Sequence, residues 1–256
     1  MFGQNEVKGR RALTDGFLVK EIFYTVQGEG PLAGVPATFV RFSDCNLACF
    51  FCDTDFTGGT LHNPLELSEM LAGHAVKHRC SLFVFTGGEP MLQEIFVLMV
   101  SIREVLEAML GHNHAIWQNL HFQVETAGTV WPVIDGLELI DNGIASIVCS
   151  PKTPKVHPYI ADYCNDYKYI LRFGETDPVD GLPNKSTQRL GVDAKVFRAT
   201  GYKQIWVQPC DEDNDPNASG SSGQAMTLQN MALVSEIAMK HGYRVSLQLH
   251  KILGLA

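Results

Sequence analysis

Leu82-Phe83-Val84-Phe85-Thr86-Gly87-Gly88-Glu89-Pro90 is the stretch from which the fold is read. Four apolar residues in a row fit a strand covered on both faces, and they run directly into a paired-glycine turn. Beyond it Ile95, Leu98, Met99, Ile102, Val105, Leu106 and Met109 recur at the spacings of one helical stripe, which predicts a helix packed on the core. Working outward toward the N-terminus, residues 18–26 predict an opening strand that ends at Gln27-Gly28-Glu29-Gly30-Pro31. Residues 37–42 predict a second strand, and 64–77 an amphipathic helix carrying Leu67, Met70, Leu71 and Ala75. Toward the C-terminus, strands are expected at 122–125, 146–149, 167–173, 204–208 and 243–250, with helices at 185–200 and 227–241. About six strands in strand–helix units imply parallel strands with right-handed crossovers, fewer than the eight of a complete barrel. The expected fold is therefore α/β, a partial (β/α)6-type TIM-like barrel modified at its ends.

The composition sets limits on function. With 256 residues and 45% apolar content, the chain has the material for one sizeable domain, taken as 1–256. No apolar run approaches the roughly 20 residues that cross a bilayer, so no membrane role is expected. The opening residues show no export segment, and a cytoplasmic location follows by default. A net charge of −8 argues against a nucleic-acid partner, whose phosphates call for a basic surface. Residues 211–224 are acidic, then rich in serine and glycine, and predict a mobile surface loop; their spacing does not fit a calcium-binding EF-hand.

Seven cysteines stand at 45, 49, 52, 80, 149, 164 and 210. The odd count argues against a disulfide framework. Cys80, Cys149, Cys164 and Cys210 are scattered and read as small buried hydrophobes. Cys45-Asn46-Leu47-Ala48-Cys49-Phe50-Phe51-Cys52 is different: its three thiols, three and two residues apart, can converge on one centre. Soft thiolates select iron–sulfur clusters, zinc or copper(I). Structural zinc normally takes four protein ligands, and His62 and His74 do not supply a compact fourth. Three ligands suit a [4Fe–4S] cluster with one iron left for a chelating cofactor, with Phe50 and Phe51 as shields against solvent.

The cysteine spacing resembles the signature of the radical S-adenosylmethionine superfamily. Together with Gln27-Gly28-Glu29-Gly30, Val40-Arg41-Phe42, Cys52-Asp53-Thr54, Thr86-Gly87-Gly88-Glu89-Pro90, Trp206-Val207-Gln208-Pro209 and Leu247-Gln248-Leu249-His250-Lys251, it resembles the 7-carboxy-7-deazaguanine synthase family over almost the whole chain. That resemblance implies a Mg2+-dependent radical lyase that converts 6-carboxy-5,6,7,8-tetrahydropterin to 7-carboxy-7-deazaguanine with loss of ammonia, in queuosine or other 7-deazapurine biosynthesis. It assigns Cys45, Cys49 and Cys52 to the cluster. It gives Thr86, Gly87, Gly88, Glu89, Glu125, Ser150, Lys152 and Gln208 to S-adenosylmethionine. Thr54 becomes the Mg2+ ligand, and Gln27, Gly28, Glu29, Arg41, Thr86 and His250 become substrate contacts; Asp53 would hold the loop rather than the metal. A flavodoxin or ferredoxin as electron donor and a homodimeric state are further implications. On the residues alone a turn with an exposed acid at Glu29 and an ion pair at Arg41 are equally open, and a core histidine is the favoured reading of His250. A glycyl-radical activase would share the cysteines but lack the Gln-Gly-Glu-Gly and Cys-Asp-Thr pairing, and a non-catalytic zinc-binding nucleic-acid module stands further off.

Overall fold

The computed structural model describes residues 7–52, 54–188, 194–212 and 221–255. Its strands are β1 (Phe17–Val26), β2 (Pro36–Phe42), β3 (Thr60–His62), β4 (Leu82–Gly87), β5 (His121–Thr126), β6 (Ala145–Cys149), β7 (Asp166–Leu171), β8 (Gln204–Pro209) and β9 (Arg244–Val245). They form one sheet in the order β3-β1-β2-β4-β5-β6-β7-β8-β9. From β2 to β9 every neighbouring pair is parallel, as strand–helix units require. β1 pairs antiparallel with β2, because the turn at residues 27–35 is too short for a crossover, and it pairs antiparallel with β3 on its other edge. The two end strands, β3 and β9, do not pair, so the sheet is open, a partial barrel as expected.

The helices are α1 (Pro64–His78), α2 (Ile95–Leu110), α3 (Ala115–Gln118), α4 (Leu137–Asp141), α5 (Pro158–Tyr163), α6 (Ser221–His241) and α7 (Leu249–Ile252). α1 starts where Asn63 Oδ1 accepts from Leu65 N at 2.9 Å and Pro64 fills the first turn. It ends at Arg79, in the left-handed region at φ 52°. The stripe of α2 is buried at Ile95, Leu98, Met99, Ile102 and Leu106, while Met109 faces solvent.

Alternation along the strands sorts the residues into two faces. Val40 and Phe42 of β2, Phe83 and Phe85 of β4, Phe122 and Val124 of β5, and Tyr167 and Tyr169 of β7 pack into the core under the helices. The residues between them, Arg41, Thr86, Glu125, Lys168 and Gln208 among them, fall on the concave face. Cys80, Cys149, Cys164 and Cys210 are buried free thiols, as the small-hydrophobe reading requires.

Three expectations change. Residues 243–250 are not a strand: β9 ends at Val245 and α7 begins at Leu249. Ser246 turns inward, accepting from Gly30 N at 3.0 Å and donating to Gln208 Oε1 at 2.9 Å, and those bonds draw the chain off the sheet edge. Residues 185–188 and 194–200 carry no helix, since Thr187 N and Phe197 N donate to Lys152 O and Thr153 O at 3.0 and 2.8 Å; residues 189–193 lie outside those described. The loop expected at 211–224 stops short at Ser221, where α6 starts, and its stretch 213–220 likewise lies outside the described residues. No helix among the described residues is long and apolar enough to cross a membrane.

Candidate active site

The C-terminal ends of the parallel strands open into a cavity of about 260 Å³. Cys45, Cys49 and Cys52 line it together with Thr54, Thr86, Gly87, Gly88, Glu125, Ser150, Lys152 and Gln208. A second hollow shares Glu29, Thr54, Thr86, Glu125 and Gln248 with the first, and adds Gln27, Arg41 and His250. All three cysteines and most of the residues assigned to cofactor and substrate thus meet in one continuous space. Glu89 and Gly28 are the exceptions, lining neither hollow.

Glu89 is 0% exposed and does not line the cavity. Its carboxylate accepts from Met91 N at 3.1 Å, Thr126 Oγ1 at 2.7 Å and Ala127 N at 2.9 Å, and so staples the turn after β4 to the end of β5. Burial pushes its carboxyl up to about 7 against the pull of those donors. The glycine pair also has a job beyond leaving room for a ligand. A Cβ on Gly88 would lie 1.8 Å from Asp44 O, and one on Gly87, at φ +119°, would lie 2.2 Å from Phe42 O. These glycines let the β4 turn close onto the end of β2 and the start of the cysteine loop, with Gly88 N donating to Phe42 O at 3.0 Å and Glu89 N to Asp44 O at 2.9 Å.

The cysteine loop is pinned from several directions. Leu47 N donates to Cys45 Sγ at 3.4 Å, and Asn46 Nδ2 reaches Thr129 Oγ1 at 2.9 Å. Thr187 Oγ1 and Gln188 Nε2 donate to Cys49 Sγ at 3.0 and 3.4 Å. Phe50 and Phe51 are half-buried, with Arg172 over the first ring and Lys152 over the second, at 5.0 and 5.1 Å from the centroids. Burial, and then the charge of Glu89, push the Cys45 thiol up to about 12, so a metal binding there displaces a proton. Among the described residues no three His, Cys, Asp or Glu side chains converge tightly enough to hold one metal ion, and His62 and His74 line neither hollow. The sulfurs face a common space instead. Three thiols, with N–H or O–H donors aimed at the sulfurs of Cys45 and Cys49, fit the corners of a polynuclear iron–sulfur cluster, whose irons each take a separate thiolate.

On the substrate side, Gln27 is 1% exposed and fully engaged. Its Nε2 donates to Gln123 Oε1 and, at 3.0 Å, to Glu125 Oε1, while its Oε1 accepts from Glu29 N at 3.0 Å. Glu125 Oε2 accepts from Thr86 Oγ1 at 2.9 Å. Glu29 pairs with Lys168 and accepts from Gln248 Nε2 at 2.9 Å. Burial alone would raise the Glu29 carboxyl; Lys168, by charge and hydrogen bond, and then Gln248 bring it below the ordinary range. Arg41 Nε lies 2.7 Å from Glu21 Oε1, outside good hydrogen-bond geometry, and its guanidinium covers Phe23. His250 stands over Gly28, whose missing Cβ would lie 2.2 Å from His250 Nδ1.

Lys152 Nζ donates to Ser150 Oγ at 2.8 Å, and burial lowers its pKa. The sequence reading missed Lys168, Gln248, Thr187 and Gln188. Alternation was the available signal for Lys168, because Tyr167 and Tyr169 on either side belong to the helix-covered face. No comparable pattern marks 187 or 188.

No protein-family model matches the chain. A 7-carboxy-7-deazaguanine synthase of Rhodospirillum rubrum is 38% identical over 261 residues, covering 100% of both chains. One from Rickettsia prowazekii is 28% identical over 263 residues, covering 100% of this chain and 96% of its own. Among solved structures, QueE from Escherichia coli superposes with a TM-score of 0.55 at 20% identity, covering 91% of this chain and 93% of that one, and bears out the fold. Full-length likeness at this level decides between synthase, activase and zinc module: the chain is an enzyme chain that belongs to the 7-carboxy-7-deazaguanine synthase family.

Proposed function

We propose that the protein forms 7-carboxy-7-deazaguanine from 6-carboxy-5,6,7,8-tetrahydropterin, with a [4Fe–4S] cluster on Cys45, Cys49 and Cys52, S-adenosylmethionine and Mg2+. The observation that carries this is the shared wall: Thr54, Thr86 and Glu125 belong both to the thiol-lined cavity and to the hollow holding Gln27, Glu29, Arg41 and His250. When bound, cluster and S-adenosylmethionine supply one-electron cleavage of the sulfonium, which gives access to hydrogen abstraction from an unactivated carbon.

The chain's own residues bind, orient and shield. Gly87, Gly88, Ser150, Lys152 and Gln208 ring the thiols and offer backbone and side-chain polar groups to the amino acid and ribose parts of S-adenosylmethionine. Glu29, held ionised between Lys168 and Gln248, presents an acceptor to the paired N–H donors of a pterin ring. Gln27 orients Glu29 through the Glu29 N to Gln27 Oε1 bond. Arg41 offers its guanidinium to the substrate carboxylate, and His250 closes the far side. The Thr54 hydroxyl is a hard oxygen ligand, suited to Mg2+ that keeps water and substrate oxygens as its other partners. Phe50 and Phe51 exclude solvent. A flavodoxin or ferredoxin supplies the electron, and the enzyme works in the cytoplasm as a homodimer on a small molecule.

The test is anaerobic reconstitution with iron and sulfide, followed by incubation with S-adenosylmethionine, Mg2+, reductant and the carboxy-tetrahydropterin. The expected result is a cluster whose EPR signal changes when S-adenosylmethionine is added, together with the deazaguanine product by mass. Protein that retains only zinc, or a cluster indifferent to S-adenosylmethionine, overturns the proposal.

A further inference from the structure

Cys49 differs from the other two cysteines in what touches its sulfur. Residues 186–188 run along the cysteine loop, with Cys49 and Gln188 forming an antiparallel bridge and Phe50 N donating to Thr187 O at 3.2 Å. Ala48 N donates to Gln188 Oε1 at 3.0 Å, which leaves the Gln188 Nε2 end turned to Cys49 Sγ at 3.4 Å. Thr187 Oγ1 stands 3.0 Å from the same sulfur and is 7% exposed with its residue. The segment is itself anchored to the strand end after β6, through Thr187 N to Lys152 O at 3.0 Å and Ser186 Oγ to Lys152 O at 3.0 Å. Two donors from one anchored strap, some 138 residues away in sequence, therefore converge on a single thiol.

We infer that Thr187 and Gln188 are positioning residues for the Cys49 thiolate, and that their two hydrogen bonds raise the reduction potential of the cluster it holds. The inference rests on the cluster reading above. One-electron reduction, by an external low-potential donor of the flavodoxin or ferredoxin class, adds one negative charge that is shared onto the ligating sulfurs. A donor aimed at sulfur stabilises that added charge more than it stabilises the oxidised form, and the burial of Thr187 limits screening of the difference. Thr187 has one hydroxyl proton, and Lys152 O, at 3.3 Å, competes for it with Cys49 Sγ. A thiolate, carrying charge, is the stronger acceptor, so ligation favours the bond to sulfur.

The experiment is an EPR-monitored redox titration of anaerobically reconstituted full-length protein, without substrate, comparing wild type with Thr187→Val, Thr187→Ser and Gln188→Met. Thr187→Val keeps the shape and removes the donor. Its midpoint potential is expected to fall by the equivalent of about a tenfold change in the one-electron equilibrium, about 59 mV. Gln188→Met is expected to move the same way, and Thr187→Ser to stay with wild type. Iron content and thermal unfolding of the cluster-free protein serve as controls for folding. If Thr187→Val does not load a cluster, Gln188→Met carries the same test. Loaded variants with unchanged midpoints overturn the inference while leaving the proposed function intact. So does Thr187→Ser shifting as far as Thr187→Val, which would mark packing rather than hydrogen bonding as the cause. A wild-type chain that holds no cluster overturns both.

Discussion

Lys168 shows how much a single side chain can hide in a strand. It is 7% exposed and lies between two tyrosines of the opposite face, so its ammonium can only be kept by a buried acid, and Glu29 is that acid. The acid was legible in Gln-Gly-Glu-Gly, whereas the lysine was not: a lone lysine in a strand ordinarily marks a solvated face, and only the knowledge that neither face of β7 is open reverses that reading. The pair has a pH signature with a definite sign. The folded-state pKa of Glu29 lies below the ordinary 4.5, so its contribution to stability is complete above that value and is lost as pH falls through the folded value. Replacing Lys168 by Met leaves a largely buried carboxylate without its counter-charge, held only by the Gln248 hydrogen bond, a change that costs about 3 kcal/mol. Burial then raises the Glu29 carboxyl, so this cost should be full at about pH 7 and shrink as the carboxyl protonates toward pH 4.5. Urea unfolding of the cluster-free variant and parent at both pH values measures it, and an equal difference at the two would remove the pair from the account.

Among the elements, those with long periodic patterns were legible and those fixed by distant polar bonds were not. α1 and α2 announce themselves through apolar stripes, and β4 through four consecutive apolar residues. Residues 243–250 alternate like a strand, yet Ser246 and Gln248 turn inward to Gln208 and Glu29, and the chain becomes α7. The apolar residues of 185–200 suggested a helix, but the backbone of its described part is committed to Lys152 O, Thr153 O and the cysteine loop. α7 is seated against Gly28: Leu249 N donates to Gly28 O at 3.0 Å, and a Cβ there would meet both the ring of His250 and, at 3.1 Å, its backbone nitrogen. Rotating the histidine cannot relieve the second contact. Gly28→Ala is therefore expected to displace α7 and weaken binding of the carboxy-tetrahydropterin about tenfold or more, with iron content unchanged. Calorimetric titration of the reconstituted variant checks this, and parental affinity would detach α7 from the substrate.

At the level of the whole molecule, the parallel order of the sheet followed from its strand–helix rhythm, while the antiparallel pairing of β1, itself expected as a strand, and the three-residue β3 at its edge had no such rhythm to reveal them. The site gathers side chains from Gln27 to His250, so nothing smaller than the folded chain assembles it. A cluster that binds only the folded form should accordingly stabilise it: occupancy at about 100-fold over the dissociation constant gives about 2.7 kcal/mol. For a chain of this size that corresponds to about 5–10 °C in Tm. Stripping the iron with a chelator under anaerobic conditions should lower the melting point by that much, and an unchanged melting point would count against the thiols as its holders. The strap at 186–188 adds a consequence for biosynthesis. Cys52 leaves the ribosome roughly 135 residues ahead of Thr187, a delay of about 7–27 s at ordinary rates of translation. During that interval the nascent thiols have no wall over Cys49, so iron delivered before Thr187 is made meets an unfinished cradle.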